Sequence, residues 1–256
     1  MKKILVPSLI ALAISSLASV AQAQTAPEST LSYNAGVVSD YRYRGISQSR
    51  LQPALQGGVD YADKSGFYVG AWGSTIKWIK DTGTTNTLTG VKGSVELDLY
   101  GGYKGAVGDV TYDVGLLRYQ YLNNNLETVP LYANANTTEI YGALTYGLFT
   151  AKYSHSLTNT FGNINSKNSY YLDLSATFDM GDGYSLVPHV GYQKLKGAGN
   201  AAGTYTDYSL TLAKDLGNGL TASAAVVGTD ADKGFYTLKD KFNGKAGVVV
   251  GLKYAF

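Results

Sequence analysis

The chain ends in Val248-Val249-Val250-Gly251-Leu252-Lys253-Tyr254-Ala255-Phe256, where apolar residues alternate with small or polar ones. Side chains two positions apart share one face of a strand. One face therefore carries Phe256, Tyr254, Leu252, Val250, Val248 and Ala246. The alternation and the terminal aromatic residue are typical of the closing strand of an outer-membrane β-barrel. We predict that Tyr254 and Phe256 form the signal read by the barrel-assembly machinery.

The first residues have the composition of a cleaved secretory leader. Met1-Lys2-Lys3 is positive, residues 4–20 are mainly apolar, and Ala21-Gln22-Ala23 has the small-residue pattern of a cleavage site. The apolar part is short for a membrane-spanning helix, which needs about 20 residues. We expect a signal peptide over residues 1–23, with Ala21 and Ala23 at the cleavage site, and one domain over residues 24–256.

Composition narrows the class of protein. Cysteine is absent, so disulfides and thiolate metal sites are excluded, and no metal or cofactor is expected. Tyr at 22 and Gly at 31 are abundant and mean hydropathy is −0.08, with no second long apolar run that would form a helical span. Without Lys2 and Lys3, 19 basic residues balance 19 acidic ones, which does not favour nucleic-acid binding. The combination favours a transmembrane barrel.

About twelve segments have strand character, an even number as a closed antiparallel barrel requires. Most are near the roughly 9 to 11 residues that a tilted membrane strand needs. They cover residues 31–41, 54–62, 67–78, 94–104, 110–121, 138–146, 149–157, 169–179, 185–195, 205–214, 220–229 and 245–256. The predicted fold is all-β, a single antiparallel up-and-down transmembrane barrel.

The connections between these segments alternate in length. The short ones are rich in Gly and cover residues 63–66, 105–109, 147–148, 180–183 and 215–219. The long, polar ones cover residues 42–53, 79–93, 122–137, 158–168, 196–204 and 230–244. Short periplasmic turns and long external loops are the outer-membrane pattern. We therefore expect both termini in the periplasm of a Gram-negative bacterium.

Two segments do not assign their faces clearly. Residues 67–78 carry large apolar side chains on both faces, and in residues 110–121 the apolar face changes parity before Arg118. A β-bulge, or a strand that continues above the membrane, would explain the change.

Residues 39–78 carry a resemblance to a known family. The motif Ser39-Asp40-Tyr41-Arg42-Tyr43-Arg44-Gly45-Ile46-Ser47-Gln48-Ser49 is followed by Pro53-Ala54-Leu55-Gln56-Gly57-Gly58-Val59-Asp60-Tyr61 and Ser65-Gly66-Phe67-Tyr68-Val69-Gly70-Ala71-Trp72. This region resembles the opening of the TorF-type porins, a Gcw_chp-type group of bacterial outer-membrane proteins. Elsewhere the chain agrees in length, strand pattern and terminal Phe256. The resemblance implies an outer-membrane barrel and a pore, without an established substrate.

Charged residues on the polar faces are predicted to point into the barrel, because a lipid-facing Lys or Arg at mid-membrane costs about 2–4 kcal/mol. These pore-lining or mouth candidates are Asp40, Arg42, Arg44, Asp60, Lys77, Glu96, Asp98, Lys104, Asp113, Glu139, Lys152, Asp173, Asp207 and Lys253. Opposed rows of such charges would set up a transverse field in a narrow pore. Alternatively, the same charges pair across a small lumen and close it as a polar core. Both interpretations stay open.

Aromatic residues and arginines have simpler interpretations than ligand binding. Trp72, Trp78 and the many tyrosines are predicted to form interfacial girdles rather than a sugar site. Arg42, Arg44 and Arg50 could attract anions, but pairing with a carboxylate such as Asp40 is favoured.

The favoured function is an outer-membrane channel for passive diffusion of small polar solutes, with lipid and lipopolysaccharide as its surroundings. One alternative is a non-conducting structural or adhesive barrel whose loops, such as residues 82–89 and 123–138, contact surfaces. A lipid-modifying enzyme is less favoured. His155 shares its strand face with Tyr153 and Leu157, and His189 with Val187 and Gly191, so neither has a nucleophile beside it.

Overall fold

The computed structural model describes residues 29–256, and the predicted leader with its cleavage site lies outside them. Twelve strands form one closed sheet. They are β1 Thr30–Val38, β2 Ala54–Ala62, β3 Phe67–Thr75, β4 Val95–Val107, β5 Val110–Tyr121, β6 Thr137–Tyr146, β7 Phe149–Ser156, β8 Tyr170–Ala176 continued by Phe178–Gly181, β9 Tyr184–Lys194, β10 Tyr205–Gly217, β11 Leu220–Thr229 and β12 Gly247–Ala255.

The sheet is an up-and-down antiparallel barrel, as predicted. Each strand pairs with its neighbours in sequence, and β1 pairs with β12, where Gly36 stands opposite Lys253. The predicted bounds of β2, β5 and β11 match the structure, and most others differ by one to three residues. The end of β3 lies at Thr75 rather than at residue 78, which takes Lys77 and Trp78 out of the sheet.

Short turns gather at one end of the barrel, which we call the turn end. In Asp182–Gly183 and Asn218–Gly219 both residues have positive φ, as the favoured two-residue hairpin turns require. The long connections gather at the opposite end, the loop end. They include a two-stranded hairpin formed by Arg42–Tyr43 and Ile46–Ser47.

Two other long connections contain α-helices, which the sequence did not predict. The helix α1, Trp78–Thr85, follows β3, and the short helix α2, Lys233–Tyr236, follows β11. Among residues 29–256, no helix is long and apolar enough to cross a membrane. α1 has no side-chain N-cap, but Ile79 is fully buried, so packing stabilises this helix.

The outward face of the wall is apolar. Leu55 and Val248 are each 66% exposed, and the outward side chains of β12 follow the predicted alternation through Tyr254. The pairing of β5 is unbroken on both sides, so the bulge expected before Arg118 is absent. Its apolar face changes because Leu117, Tyr119 and Tyr121 point inward and pack in the interior. Register shifts occur instead beside two turns, in β8 and β10.

Inward tyrosines lie against glycines of the neighbouring strand. A side chain at each of these glycines would collide with the ring, so the absence of a Cβ creates the space. The pairs are Tyr68 with Gly102, Tyr100 with Gly70, Tyr141 with Gly115 and Tyr171 with Gly191. This packing gives a physical reason for the high content of both residue types.

Candidate functional site: the lumen and its inserted hairpin

The connection between β1 and β2 folds into the lumen. Its inserted hairpin, residues 40–49, leaves the wall after β1 and reaches across to the opposite strands. Tyr41, Ile46, Ser47 and Ser49 are buried inside the barrel. The loop end of the lumen is therefore occupied by a segment of the chain itself.

A carboxylate holds the base of the inserted hairpin. Asp40 Oδ1 accepts hydrogen bonds from Ser47 Oγ at 2.5 Å and Ser49 Oγ at 3.1 Å, and Asp40 also pairs with Arg42. Arg42 Nη1 donates to the carbonyl of Gly45 at 2.9 Å. These bonds cross-link the two arms of the hairpin, so it is rigid rather than an open loop.

Arg44 fixes the tip of the hairpin to the far wall. Nη2 lies 2.7 Å from Glu139 Oε2 on β6, and Nη1 donates to Gln193 Oε1 on β9 at 2.7 Å. The guanidinium carbon lies 4.8 Å from the ring centre of Tyr43 and 4.4 Å from that of Tyr171. Burial alone would lower the pKa of Arg44, but the Glu139 carboxylate, together with the phenols of Tyr43 and Tyr119, raises the pKa well above its usual value. The buried guanidinium stays charged.

Gly45 allows the tip to touch the wall. Its φ is +77°, and an added Cβ would lie 2.5 Å from Thr229 Cγ2 and 2.6 Å from Asp207 Cβ. A side chain would therefore be strained and would also collide with β10 and β11. The Tyr205 hydroxyl donates to the carbonyl of Arg44 at 2.9 Å, which closes the contact.

Above the hairpin, tyrosines and carboxylates fill the loop end. The Tyr41 hydroxyl donates to Glu96 Oε1 at 2.7 Å. Burial, and then the nearby Glu96 carboxylate, raise the pKa of Tyr41 well above its usual range, so the phenol keeps the proton that it donates. Asp98 is 1% exposed and its Oδ1 accepts no hydrogen bond within the described chain.

Below the hairpin, a cavity of about 500 Å³ extends to the turn end. The hairpin roofs it with Arg42 and Arg44, and Ala62, Thr111 and Thr145 line it near the short turns. The lumen therefore has two parts, a packed half at the loop end and a cavity at the turn end.

Tyrosine hydroxyls satisfy most carboxylates of the cavity wall. Tyr171 donates to Asp207 at 2.9 Å, Tyr68 to Asp113 at 2.5 Å, and Tyr100 to Asp60. A phenol donates a proton without adding a positive charge, so these hydrogen bonds satisfy the carboxylates and bring no cation into the cavity. Sequence reasoning missed this role of the tyrosines.

The cavity cations are only partly neutralised. Lys104 Nζ lies 3.6 Å from Asp113, whereas Lys152 has no carboxylate of the described chain within 4.0 Å and lies 4.2 Å from the ring centre of Tyr141. His189, which sequence reasoning did not place in the lumen, lies 3.0 Å from Asp173 and 3.7 Å from Asp207.

The structure brings most predicted site residues into the lumen. Around the wall and hairpin these are Asp40, Arg42, Arg44, Asp60, Glu96, Asp98, Lys104, Asp113, Glu139, Lys152, Asp173, Asp207 and Lys253. Lys77 is the exception: it precedes α1 beyond the end of β3 and contacts Gln52. The prediction that Lys77 faces inward from a strand is wrong, because the chain leaves the sheet at Thr75.

The girdle prediction is wrong for both tryptophans. Trp72 is buried in the lumen, 5.5 Å from the ring centre of Tyr41. Trp78 lies in α1 and packs edge-on against Tyr121. Arg50 pairs with Asp81, so each of the three arginines considered as anion contacts, Arg42, Arg44 and Arg50, is held by a carboxylate.

A family model matches residues 22–256, and its description is a bacterial protein of unknown function, Gcw_chp. The chain belongs to the Gcw_chp family. The comparison with curated proteins gave no match.

Solved porins share the fold of this Gcw_chp chain. It is similar to the NanC porin, with a TM-score of 0.53 and 10% identity over 89% of this chain and 99% of that one. It is also similar to the KdgM porin, with a TM-score of 0.51 and 9% identity over the same shares. At such identity the likeness shows a porin-type barrel.

Proposed function

We propose that the protein is an outer-membrane channel for passive diffusion of small polar solutes, with a preference for cations. The loop end faces the exterior, both termini are periplasmic, and Tyr254 and Phe256 engage the barrel-assembly machinery. The observation that carries the proposal is the polar cavity of about 500 Å³ inside a closed wall, which the inserted hairpin roofs. We infer that this hairpin is the constriction that solutes must pass.

Lumen charge supports the preference for cations. Arg42 and Arg44, which the sequence offered as anion contacts, are held by Asp40 and Glu139. The charged groups left around the cavity are four carboxylates and three ammonium groups, with the imidazole of His189 between two of the carboxylates. They are Asp60, Asp113, Asp173, Asp207, Lys104, Lys152 and, beside Asp60, Lys253. Charges that line a narrow pore set the sign of the ions it admits.

Membership of the TorF-type porins within the Gcw_chp family is also part of this proposal. The resemblance rests on residues 39–78, which include the inserted hairpin. One KdgM structure is described as a complex with disordered oligogalacturonate, an anionic sugar chain. The cavity of this chain does not favour such a ligand, because Arg42 and Arg44 are already paired and carboxylates outnumber ammonium groups.

A sealed structural barrel is the second candidate. The loop end is packed almost like a protein core: Leu126, Val129 and Ile79 are fully buried, and Tyr119 is 1% exposed. A lipid-modifying enzyme has less support. His155 lies on the outward wall, where it contacts the Tyr153 hydroxyl at 2.9 Å and Asn168 at 3.3 Å.

Single-channel recording in a planar bilayer, under a salt gradient, tests the proposal. We expect discrete conductance steps and a reversal potential on the cation-selective side. A folded, heat-modifiable protein that inserts but stays silent at every voltage would support the sealed barrel instead. Liposome swelling with neutral sugars of increasing size then measures the solute size limit.

A further inference from the structure

At the loop end, the outward-facing cations of the wall are confined to one sector. Arg118 on β5 and Lys194 on β9 point outward, and Lys196 lies two residues after the end of β9. The outward positions of β11, β12, β1, β2 and β3 carry no charged residue. The positive charge is therefore grouped on one side of the barrel.

These cations have no acidic partner among residues 29–256. Within the described chain, no carboxylate lies within 4.0 Å of Arg118, Lys194 or Lys196. Arg118 instead donates to neutral oxygens, of Thr138 at 2.9 Å and Gln120 at 3.3 Å. The loop-end halves of β5 to β9 also carry no outward carboxylate. The negative charge that complements this sector must come from its surroundings.

A row of tyrosine side chains lies beside the lysines of this sector. Tyr170 stands opposite Lys194 in the strand register, and the Lys196 ammonium lies 5.8 Å from the Tyr170 ring centre. Tyr153 and Tyr192 flank Tyr170, with ring centres 5.8 and 6.3 Å away. Tyrosines of this kind occupy the level of lipid headgroups in membrane barrels.

Below this row the wall is suited to acyl chains. Ile140, Leu172 and Val190 point outward on β6, β8 and β9 and are 44–47% exposed. A lipid bound here would place its chains on these side chains and its headgroup beside Lys194 and Lys196. Ammonium and guanidinium groups form strong, charge-assisted hydrogen bonds with phosphate oxygens.

We propose that this sector, which runs from Arg118 on β5 to Tyr170, Lys194 and Lys196 beside β8 and β9, binds the phosphorylated lipid A headgroup of lipopolysaccharide. The choice of lipid rests on the orientation in the proposed function, which places the loop end in the outer leaflet. The lipid would hold one side of the barrel and leave the uncharged side free.

Native mass spectrometry of the full, detergent-solubilised protein with added bisphosphoryl lipid A tests the site. Each lysine near an anionic surface contributes about 1 kcal/mol, so Lys194→Gln with Lys196→Gln should weaken binding about 30-fold. Lys214→Gln is the matched control. Lys214 also faces outward, but at the turn end, where it lies over the Tyr184 ring. We expect wild-type binding for this control.

Two outcomes would overturn the proposal: equal lipid A binding by the double variant and the wild type, or equal retention of phosphatidylglycerol and lipid A by the wild type. The second would mean that the sector holds any anionic lipid. The same samples are also recorded in planar bilayers. If the wild type shows no conductance but the double variant still binds lipid A more weakly, the channel function is contradicted and the lipid site is not.

Discussion

Arg44 is the residue that holds the inserted hairpin against the far wall. Its side chain is 6% exposed and its partner Glu139 is 1% exposed. Removal of one member of a buried ion pair leaves the other charge uncompensated and costs about 3–5 kcal/mol. We predict that Arg44→Ala loosens the hairpin and raises single-channel conductance relative to the wild type.

Two further variants separate the hairpin from general destabilisation. Arg44→Ala combined with Glu139→Gln removes the stranded charge, so thermal stability should partly recover while conductance stays high. Arg118→Ala removes an arginine from the outward wall and should leave conductance unchanged. Equal conductance in Arg44→Ala and the wild type would contradict the role of the hairpin as the constriction.

For single residues, the sequence predicted whether a side chain points into the barrel or outward, but not which residue it contacts. Alternation along a strand and the cost of a charge in lipid were enough to turn Glu139 and Asp207 inward. The contact between Arg44 and Glu139 joins residues 95 positions apart, and no local pattern encodes it. The prediction that Lys77 faces inward was wrong for a related reason, because the position at which a strand ends depends on the residues that pack beyond it.

Among the elements, strands were easier to predict than the structures between them. Period-two alternation and Gly-rich turns located all twelve strands. The sequence of α1, Trp78–Thr85, contains Gly and three threonines, which are poor helix formers, so only tertiary packing makes it a helix. The inserted hairpin was likewise predicted only as part of a long polar connection.

Contacts between neighbouring strands offer a prediction at the same scale. An added methyl group at Gly191 would collide with the Tyr171 hydroxyl and approach Asp207 Oδ2. We expect Gly191→Ala to destabilise the barrel by about 1–3 kcal/mol, the usual cost of overpacking. Urea unfolding from lipid vesicles, followed by tryptophan fluorescence, measures the change.

Gly142→Ala is the control for this substitution. Gly142 also lies in a strand interior, but the nearest atom to an added Cβ is Val114 Cγ1 at 3.9 Å, an ordinary contact. Its stability should stay close to that of the wild type. If both variants lose the same stability, the tyrosine and glycine pairs have no special role and strand propensity alone explains the loss.

For the whole molecule, the distribution of charge predicts ion selectivity. Asp173 and Asp207 both line the cavity, and each lies against one ring nitrogen of His189. Conversion of both to Asn leaves more ammonium groups than carboxylates on the cavity wall. We predict that Asp173→Asn with Asp207→Asn moves the reversal potential toward anion selectivity. Asp109→Asn, in an exposed turn outside the cavity, should have no such effect.

A shift of equal size in the Asp109 variant would mean that total charge, not the cavity wall, sets the selectivity.

The sequence could not have predicted this distribution of charge in the lumen. It offered opposed rows of charge or a closed polar core, and the barrel combines a packed half at the loop end with a cavity at the turn end. Whether an inward residue lies in the packed half or lines the cavity depends on the position of the inserted hairpin.

The contacts of the hairpin tip also impose an order of assembly. Arg44 is bonded to residues of β6, β9 and β10, which follow it by 95, 149 and 161 positions. Closure of such long loops has an entropy cost that only a formed wall can offset. The tip therefore docks after most of the barrel has closed. We therefore expect the lumen of a newly closed barrel to be wider than that of the finished protein, in which the tip is docked.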